Sequence, residues 1–210
     1  MTSHVARTPV GNERGQSLAE FALILPVFAL CLLGMLELGL GFNHYMTVEY
    51  ATREGARTGA ALGDGGSKNC IGGVDANMID GQIIAAVQRI LKSPGSPIAM
   101  GNVTDIRIYK ADSAGRQVGA NVNVWTYTPG AGPDIDPGLG IDRLDFSQQS
   151  AAWTACSRNT GPSADSIGVR IHYRYAFQTP LGAISSMFSN APQTLLNIDD
   201  ATVMALAPQT

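Results

Sequence analysis

The chain has little charge, and what it has is not gathered anywhere. Asp, Glu, Lys and Arg make up 15% of its 210 residues, the net charge is −3, and no stretch concentrates Lys or Arg. A partner held through a phosphate backbone needs such a concentration, so no nucleic-acid partner is expected. Cysteine is equally sparse: Cys31, Cys70 and Cys156 lie far apart, without a C-x-x-C, and the three histidines (His4, His44, His172) are scattered. That leaves no zinc or dithiol redox centre to read. No G-x-S-x-G occurs, no Cys/His pairing suggests a triad, and "GGSK" at 65 to 68 lacks the spacing of a phosphate loop. No catalytic constellation and no cofactor site emerges, so the chain is not read as an enzyme.

What the sequence does have is one long apolar run. Residues 1 to 15 are polar, with Arg7 and Arg14 against Glu13; then Phe21 to Leu36 is uncharged and apolar, and the run resumes after Glu37 as far as Phe42. Twenty-two helical residues at about 1.5 Å each span a hydrocarbon core of roughly 30 Å. The positive-inside rule puts the Arg7/Arg14 end in the cytoplasm and everything beyond the helix outside. A cleaved secretory signal fits poorly, because its apolar core is shorter and a small-residue cleavage site follows it. A plain signal anchor fits the length but leaves Glu20 unexplained. A carboxylate at the start of a membrane helix costs on the order of a few kcal/mol unless it snorkels to the headgroups or finds a partner.

The residues around that acid form a recognisable pattern. In "RGQSLAEFALILP" (14 to 26), Gly15 precedes a short polar step, Gln16 and Ser17, and Glu20 is the fifth residue after the glycine. This resembles the processing site of type IV prepilin-like proteins and, more narrowly, the start of the TadE/TadG-like pilus-assembly proteins of tight-adherence (Flp) systems. The likeness extends through "YATREGARTGA" to about Gly63. The chain is too short for the large added domain of many TadG proteins, which favours the TadE side. The resemblance implies cleavage by a membrane-embedded prepilin peptidase between Gly15 and Gln16. It also implies that Glu20 pairs with the new α-amine of a neighbouring subunit. The partners it implies are membrane lipid, the peptidase, other pilin or pseudopilin subunits and the assembly machinery.

Beyond the membrane the helix is expected to continue to about residue 62. Glu49 and Arg53 stand at i, i+4 in the favourable order. Ala51, Gly55 and Gly59 form a small-residue stripe suited to seating the helix on its own domain or on another subunit. Pro26 is a possible kink point. After a loop at 63 to 73, Asp75 can cap a second helix whose apolar face comprises Met78, Ile79, Ile83, Val87, Ile90 and Leu91. Alternating runs at 103 to 110, 121 to 128 and 166 to 177, with a last strand at 200 to 206, predict an antiparallel sheet of about four strands. The expected fold is therefore α+β, and a long helix with such a sheet is the pilin-like architecture that the resemblance implies. Its segments are a cytoplasmic leader (1–15), a long helix (16–62, transmembrane over about 18–42) and an extracytoplasmic domain (63–210).

In this topology Cys70 and Cys156 share an oxidising compartment, which permits a disulfide of roughly 4–5 kcal/mol by loop entropy; two separate thiols are the alternative. Cys31 reads as a small apolar filler in the membrane. Asp134, Asp136, Asp142 and Asp145 crowd the loop 130 to 145, but Leu139 stands where a calcium loop of the EF-hand type needs glycine, so a solvated loop is expected. Asp199 and Asp200 are read as flanking a strand. The functional expectation is a minor pilin or pseudopilin, single-pass in the cytoplasmic membrane and destined for a pilus-like surface fibre. The rival is a membrane-anchored extracytoplasmic binding or adhesion domain that never enters a fibre.

Overall fold

The computed structural model describes residues 13–66, 69–135, 143–180, 182 and 196–208. Helix α1 runs from Glu13 to Leu62, 50 residues and about 75 Å at 1.5 Å per residue, and continues through Pro26. Helix α2 spans Ile79–Leu91. Five strands follow: β1 (Val103–Ala111), β2 (Gln117–Tyr127), β3 (Phe146–Ala151), β4 (Ser166–Tyr175) and β5 (Leu196–Ala205). They form one sheet in the order β3-β2-β1-β4-β5, with every neighbouring pair antiparallel. The α+β class and the long apolar helix are as the sequence predicts.

Alternation places the core. Ile167, Val169, Ile171, Tyr173 and Tyr175 of β4 are all buried, and Ile106 and Ile108 of β1 stand beside Ile171 and Val169 on the same face. The second half of α1 and the whole of α2 cover that face, contributing Val48, Ala51 and Ala56 from one and Ile83, Ile84, Val87 and Leu91 from the other. The other face carries the side chains of Arg107, Arg170 and His172. There His172 Nδ1 meets Asp105 at 2.6 Å and its Nε2 lies 3.3 Å from Asp199, so Asp199 stands within β5 rather than beside it. Burial pushes the Asp105 carboxyl up, but Arg107 and His172 outweigh it and hold the group below the ordinary range.

Several boundaries differ from expectation, β2 among them, which begins at Gln117 rather than 121. Strand β3 is additional: its interior "SQQS" lacks apolar alternation, and only Phe146 is buried, so what makes it a strand is its pairing with Asn123 to Tyr127 of β2. Strand β5 begins at Leu196, ahead of the apolar residues that mark it in the sequence. Helix α2 begins at Ile79 because Met78 has a left-handed backbone (φ 48°) and leaves the apolar face. Asp75 does serve the helix start, its Oδ2 accepting the Ile79 amide at 2.9 Å.

The small-residue stripe of α1 is the seat of the helix on its own domain. A Cβ at Gly55 would stand 2.6 Å from Val87 Cγ2 of α2 and 3.1 Å from Val169 Cγ1 of β4. At Gly59 it would meet Ile167 Cδ1 at 2.7 Å and Ile83 Cδ1 at 3.0 Å. Valine side chains have one strongly preferred χ1 and cannot swing aside, so Gly55 is the less forgiving position. Gly55→Val should lower unfolding stability by roughly 2–3 kcal/mol through overpacking, read as a shifted urea midpoint. An unchanged midpoint would mean that α1 does not lie this close to α2 and β4.

Candidate functional site

The functional residues expected from the sequence fall at one end of α1, and the domain holds the other. Gly15, Gln16 and Glu20 sit in the first turns of the helix, where Gln16 Nε2 donates to Glu20 Oε1 at 3.1 Å. Helical spacing of four makes that pair possible. Residues 1–12 of the expected leader lie outside the described residues. From Leu18 to Leu36 the helix has no domain against it: Leu18, Phe21, Leu23, Ile24, Val27, Phe28, Leu30, Leu32, Met35 and Leu36 are all exposed, as is Cys31. This is the one helix among the described residues long and apolar enough to cross a membrane. So continuous an apolar surface is far larger than a soluble monomer carries, and lipid or other helices must cover it.

The first buried residue of α1 is Glu37, short of the Phe42 at which the apolar run ends. Its carboxylate accepts the Tyr175 hydroxyl at the end of β4, the Gln178 amide at 3.0 Å and the Thr179 amide at 2.9 Å. About two turns later His44, also buried, shares a 3.0 Å hydrogen bond with the Tyr173 hydroxyl and packs edge-on against Tyr175. Burial lowers the His44 pKa, against the pull of Glu37, so the imidazole is neutral at physiological pH. Burial and the bond to Glu37 push the Tyr175 phenol well up. Further along, the Thr52 hydroxyl meets the Asp200 carboxylate and lies 3.2 Å from Thr202 Oγ1. Glu49 and Arg53 form the i, i+4 pair the spacing predicts.

Sequence reasoning missed Glu37 as the residue that fastens α1 to the end of β4. It stood there as a lone interruption of an apolar run, and its partners are 138 to 142 residues away. The one available signal was the tolerance of an acid in such a run.

A second cluster closes the domain where α1 ends. Cys70 and Cys156 are joined as a disulfide, with their Cα atoms 5.4 Å apart. Two residues on, the Arg158 side chain is fully buried; Nη2 pairs with Asp80 of α2, Nη1 donates to the Gly63 carbonyl just past α1 at 3.3 Å, and the guanidinium lies 4.8 Å over the Trp153 ring. Asn123 of β2 completes the network, donating to Asp80 Oδ2 at 2.5 Å and to the Trp153 carbonyl at 2.6 Å. These bonds join the end of α1, the start of α2, the sheet and the 153–158 loop.

The two described carboxylates of the acidic loop, Asp134 and Asp145, each stand against a cation. Asp145 accepts Lys92 Nζ at 2.6 Å and the Gly130 amide at 2.8 Å, while Asp134 lies 3.5 Å from Arg143. Asp136 and Asp142 lie outside the described residues. Among the described residues no cluster of three or more His, Cys, Asp or Glu is arranged to hold a metal ion.

Residues 15–57 match the family described as TadE-like protein. The match covers the processing-like motif, the exposed apolar stretch, the Glu37–His44 seat and Gly55. The segment is TadE-like, and that family is one of structural proteins of pilus assembly. No curated protein and no solved structure matches the chain.

Proposed function

We propose that this TadE-like chain is a minor pilin or pseudopilin, anchored by α1 in the cytoplasmic membrane and taken up into, or beneath, a pilus-like fibre. The observation that carries the reading is the exposed apolar stretch Leu18–Leu36 preceded by the Gly15–Gln16–Glu20 pattern. A prepilin peptidase cuts between Gly15 and Gln16 on the cytoplasmic side, and the new α-amine of Gln16 faces the Glu20 carboxylate of a neighbouring subunit. In low dielectric each charge relieves the desolvation of the other. The domain lies outside the cytoplasm, where the Cys70–Cys156 bond forms and persists. Its partners are lipid, the peptidase, and other pilin subunits with their assembly machinery.

One mass-spectrometric experiment tests cleavage and topology together. Protein from the membrane fraction of its own host, alkylated without reduction and digested, should begin at Gln16 and yield the Cys70 and Cys156 peptides joined. A wild-type protein that retains residues 1–15 would overturn the pilin reading. Free Cys70 and Cys156 would place the domain on the other side of the membrane.

A further inference from the structure

At Glu37 the membrane helix and the domain meet with nothing between them. The surface of α1 is bare as far as Leu36, and the next residue is clasped by Tyr175, Gln178 and Thr179. Leu18 to Leu36 rises about 28 Å at 1.5 Å per residue, close to the roughly 30 Å of a hydrocarbon core. No linker holds the domain away from the lipid. Tilting the helix shortens its vertical rise and draws the domain closer still. The clasp suits that position. It answers the Glu37 carboxylate with three donors from the domain itself, where a bare acid would be costly.

Strand β4 shows which part of the domain lies lowest. It runs down α1, with Ile167 against Gly59 and Tyr175 against Gly41. Strand β5 starts back up from Leu196, which pairs with Tyr175, and sets Asn197 beside Arg174. The lower rim is therefore the end of β4, the segment 176–180 and the start of β5. Leu196 is 49% exposed and Arg174 is exposed on the outer face of the sheet. Residues 181–195, which join the two strands at this end, carry no charge. A headgroup layer adds about 5–8 Å on each side of the hydrocarbon, and Gly41 stands about 6 Å above Glu37. Tyr175 and Leu196 thus fall at headgroup height. On the free side of α1, Phe42 and Tyr45 are 63% and 39% exposed, and their rings stack with centroids 6.4 Å apart. Phe42 stands about 7 Å above Glu37. Side chains on a helix lean toward its N-terminus, here toward the lipid, and aromatic rings collect at this depth. Tyr50, about 20 Å above Glu37, is beyond it.

We propose that the lower rim of the domain is seated in the phospholipid headgroup layer, with Leu196 and Phe42 against lipid and Arg174 paired with a lipid phosphate. A guanidinium meets a phosphate through parallel N–H bonds, and the pairing is charge-assisted. The rim on one side of α1 and the aromatic pair on the other hold the domain at a fixed height and attitude on the membrane. The seat rests on α1 being a membrane anchor. It does not depend on Gly15–Gln16 cleavage or on entry into a fibre.

The test uses the full chain in nanodiscs of phosphatidylcholine and phosphatidylglycerol, with a nitroxide on one cysteine at a time. Cys70 and Cys156 are bonded to each other and take no label. A label on the native Cys31 reports the anchor. In a Cys31→Ser background, Leu196→Cys and Phe42→Cys report the rim and the aromatic pair. Tyr50→Cys and Ser113→Cys, the latter in the β1–β2 turn at the far end of the sheet, report water. All five positions are exposed, so labelling leaves the core alone. Power saturation of the nitroxide against oxygen and against a nickel chelate should place Cys31 in hydrocarbon, 42 and 196 at the headgroups, and 50 and 113 in water. Arg174→Glu, added to the Leu196→Cys chain, sets an acid against the phosphates and should raise nickel access at 196 toward that at 113. Labels at 42 and 196 as open to nickel as the one at 113 would overturn the seat. Shielding of 196 from both oxygen and nickel would put protein rather than lipid against the rim and overturn it equally. Unchanged access in the Arg174→Glu chain would overturn the phosphate pairing. A Cys31 label in water would remove the anchor itself, and with it the reading on which the seat rests.

Discussion

Arg158→Met should cost the domain about 3–5 kcal/mol, the range seen when one partner of a buried ion pair is removed. The reason lies in what stays behind. Asp80 is 7% exposed and takes its one cationic partner from Arg158, whose side chain has no solvent contact. Methionine fills much of the same volume, so the loss is electrostatic rather than a cavity, and Asn123 alone must then support the carboxylate. The Gly63 carbonyl at the end of α1 loses its donor as well. Domains of ordinary size are stable by about 5–15 kcal/mol, so this single change consumes a large share. Urea unfolding with the Cys70–Cys156 bond intact is the measurement. A second substitution separates charge from packing: Asp80→Asn placed on Arg158→Met removes the stranded charge and should recover most of the loss. A single variant within about 0.5 kcal/mol of wild type, the scatter of ordinary surface changes, would show that Asp80 does not need its cation. Failure of Asp80→Asn to recover stability would assign the loss to packing against Trp153.

The contrast between this network and the sheet shows what the sequence carries. Strand β4 is legible because five alternate residues, Ile167 to Tyr175, are all large and all buried on one face. Period two survives any context that buries one side. Helix α1 is legible for the same reason of scale, and Gly55 and Gly59 are legible as places of close approach, although nothing local says that Val87 and Val169 are what approaches. Strand β3 is illegible because pairing with β2, not its own composition, makes it extended. Arg158 gave no signal: a buried arginine and a surface one look alike in sequence, and its partners come from Asp80, Gly63 and Trp153. Glu37 is the middle case. Its setting in an apolar run marks it as unusual, but the clasp by Tyr175, Gln178 and Thr179 exists only once β4 has been laid against α1. At the other end of the helix, the motif from Gly15 to Glu20 is a pattern of sequence alone. The partners proposed for it lie in other molecules.

Glu20→Ala should leave the chain inserted in the membrane and cut at Gly15, yet reduce its recovery in sheared surface fibres to near nothing. In the single chain the acid has a weak local partner, Gln16 Nε2 at 3.1 Å, and is surrounded by exposed Leu18, Phe21 and Leu23. Insertion scales charge an acid about 2.5–3.5 kcal/mol at the centre of a membrane helix and less toward its ends, so removing it makes insertion easier. What the variant gives up is the contact proposed between subunits. Two unit charges 4 Å apart attract by about 4 kcal/mol at an effective dielectric near 20, which is close to a thousandfold in a subunit's affinity for the growing assembly. Glu20→Gln keeps the side-chain shape and the Gln16 contact but not the charge, and should fail as fully as alanine. Glu20→Asp keeps the charge one methylene short and should assemble in part. Immunoblots of the membrane and fibre fractions, with the mature N-terminus checked in each, separate the possible defects. Loss from the membrane fraction would assign Glu20 to insertion, and retention of residues 1–15 would assign it to peptidase recognition. Fibres that take up the Glu20→Ala chain at the wild-type level would end the charge-pairing role, because an uncharged residue would then suffice where the acid stands.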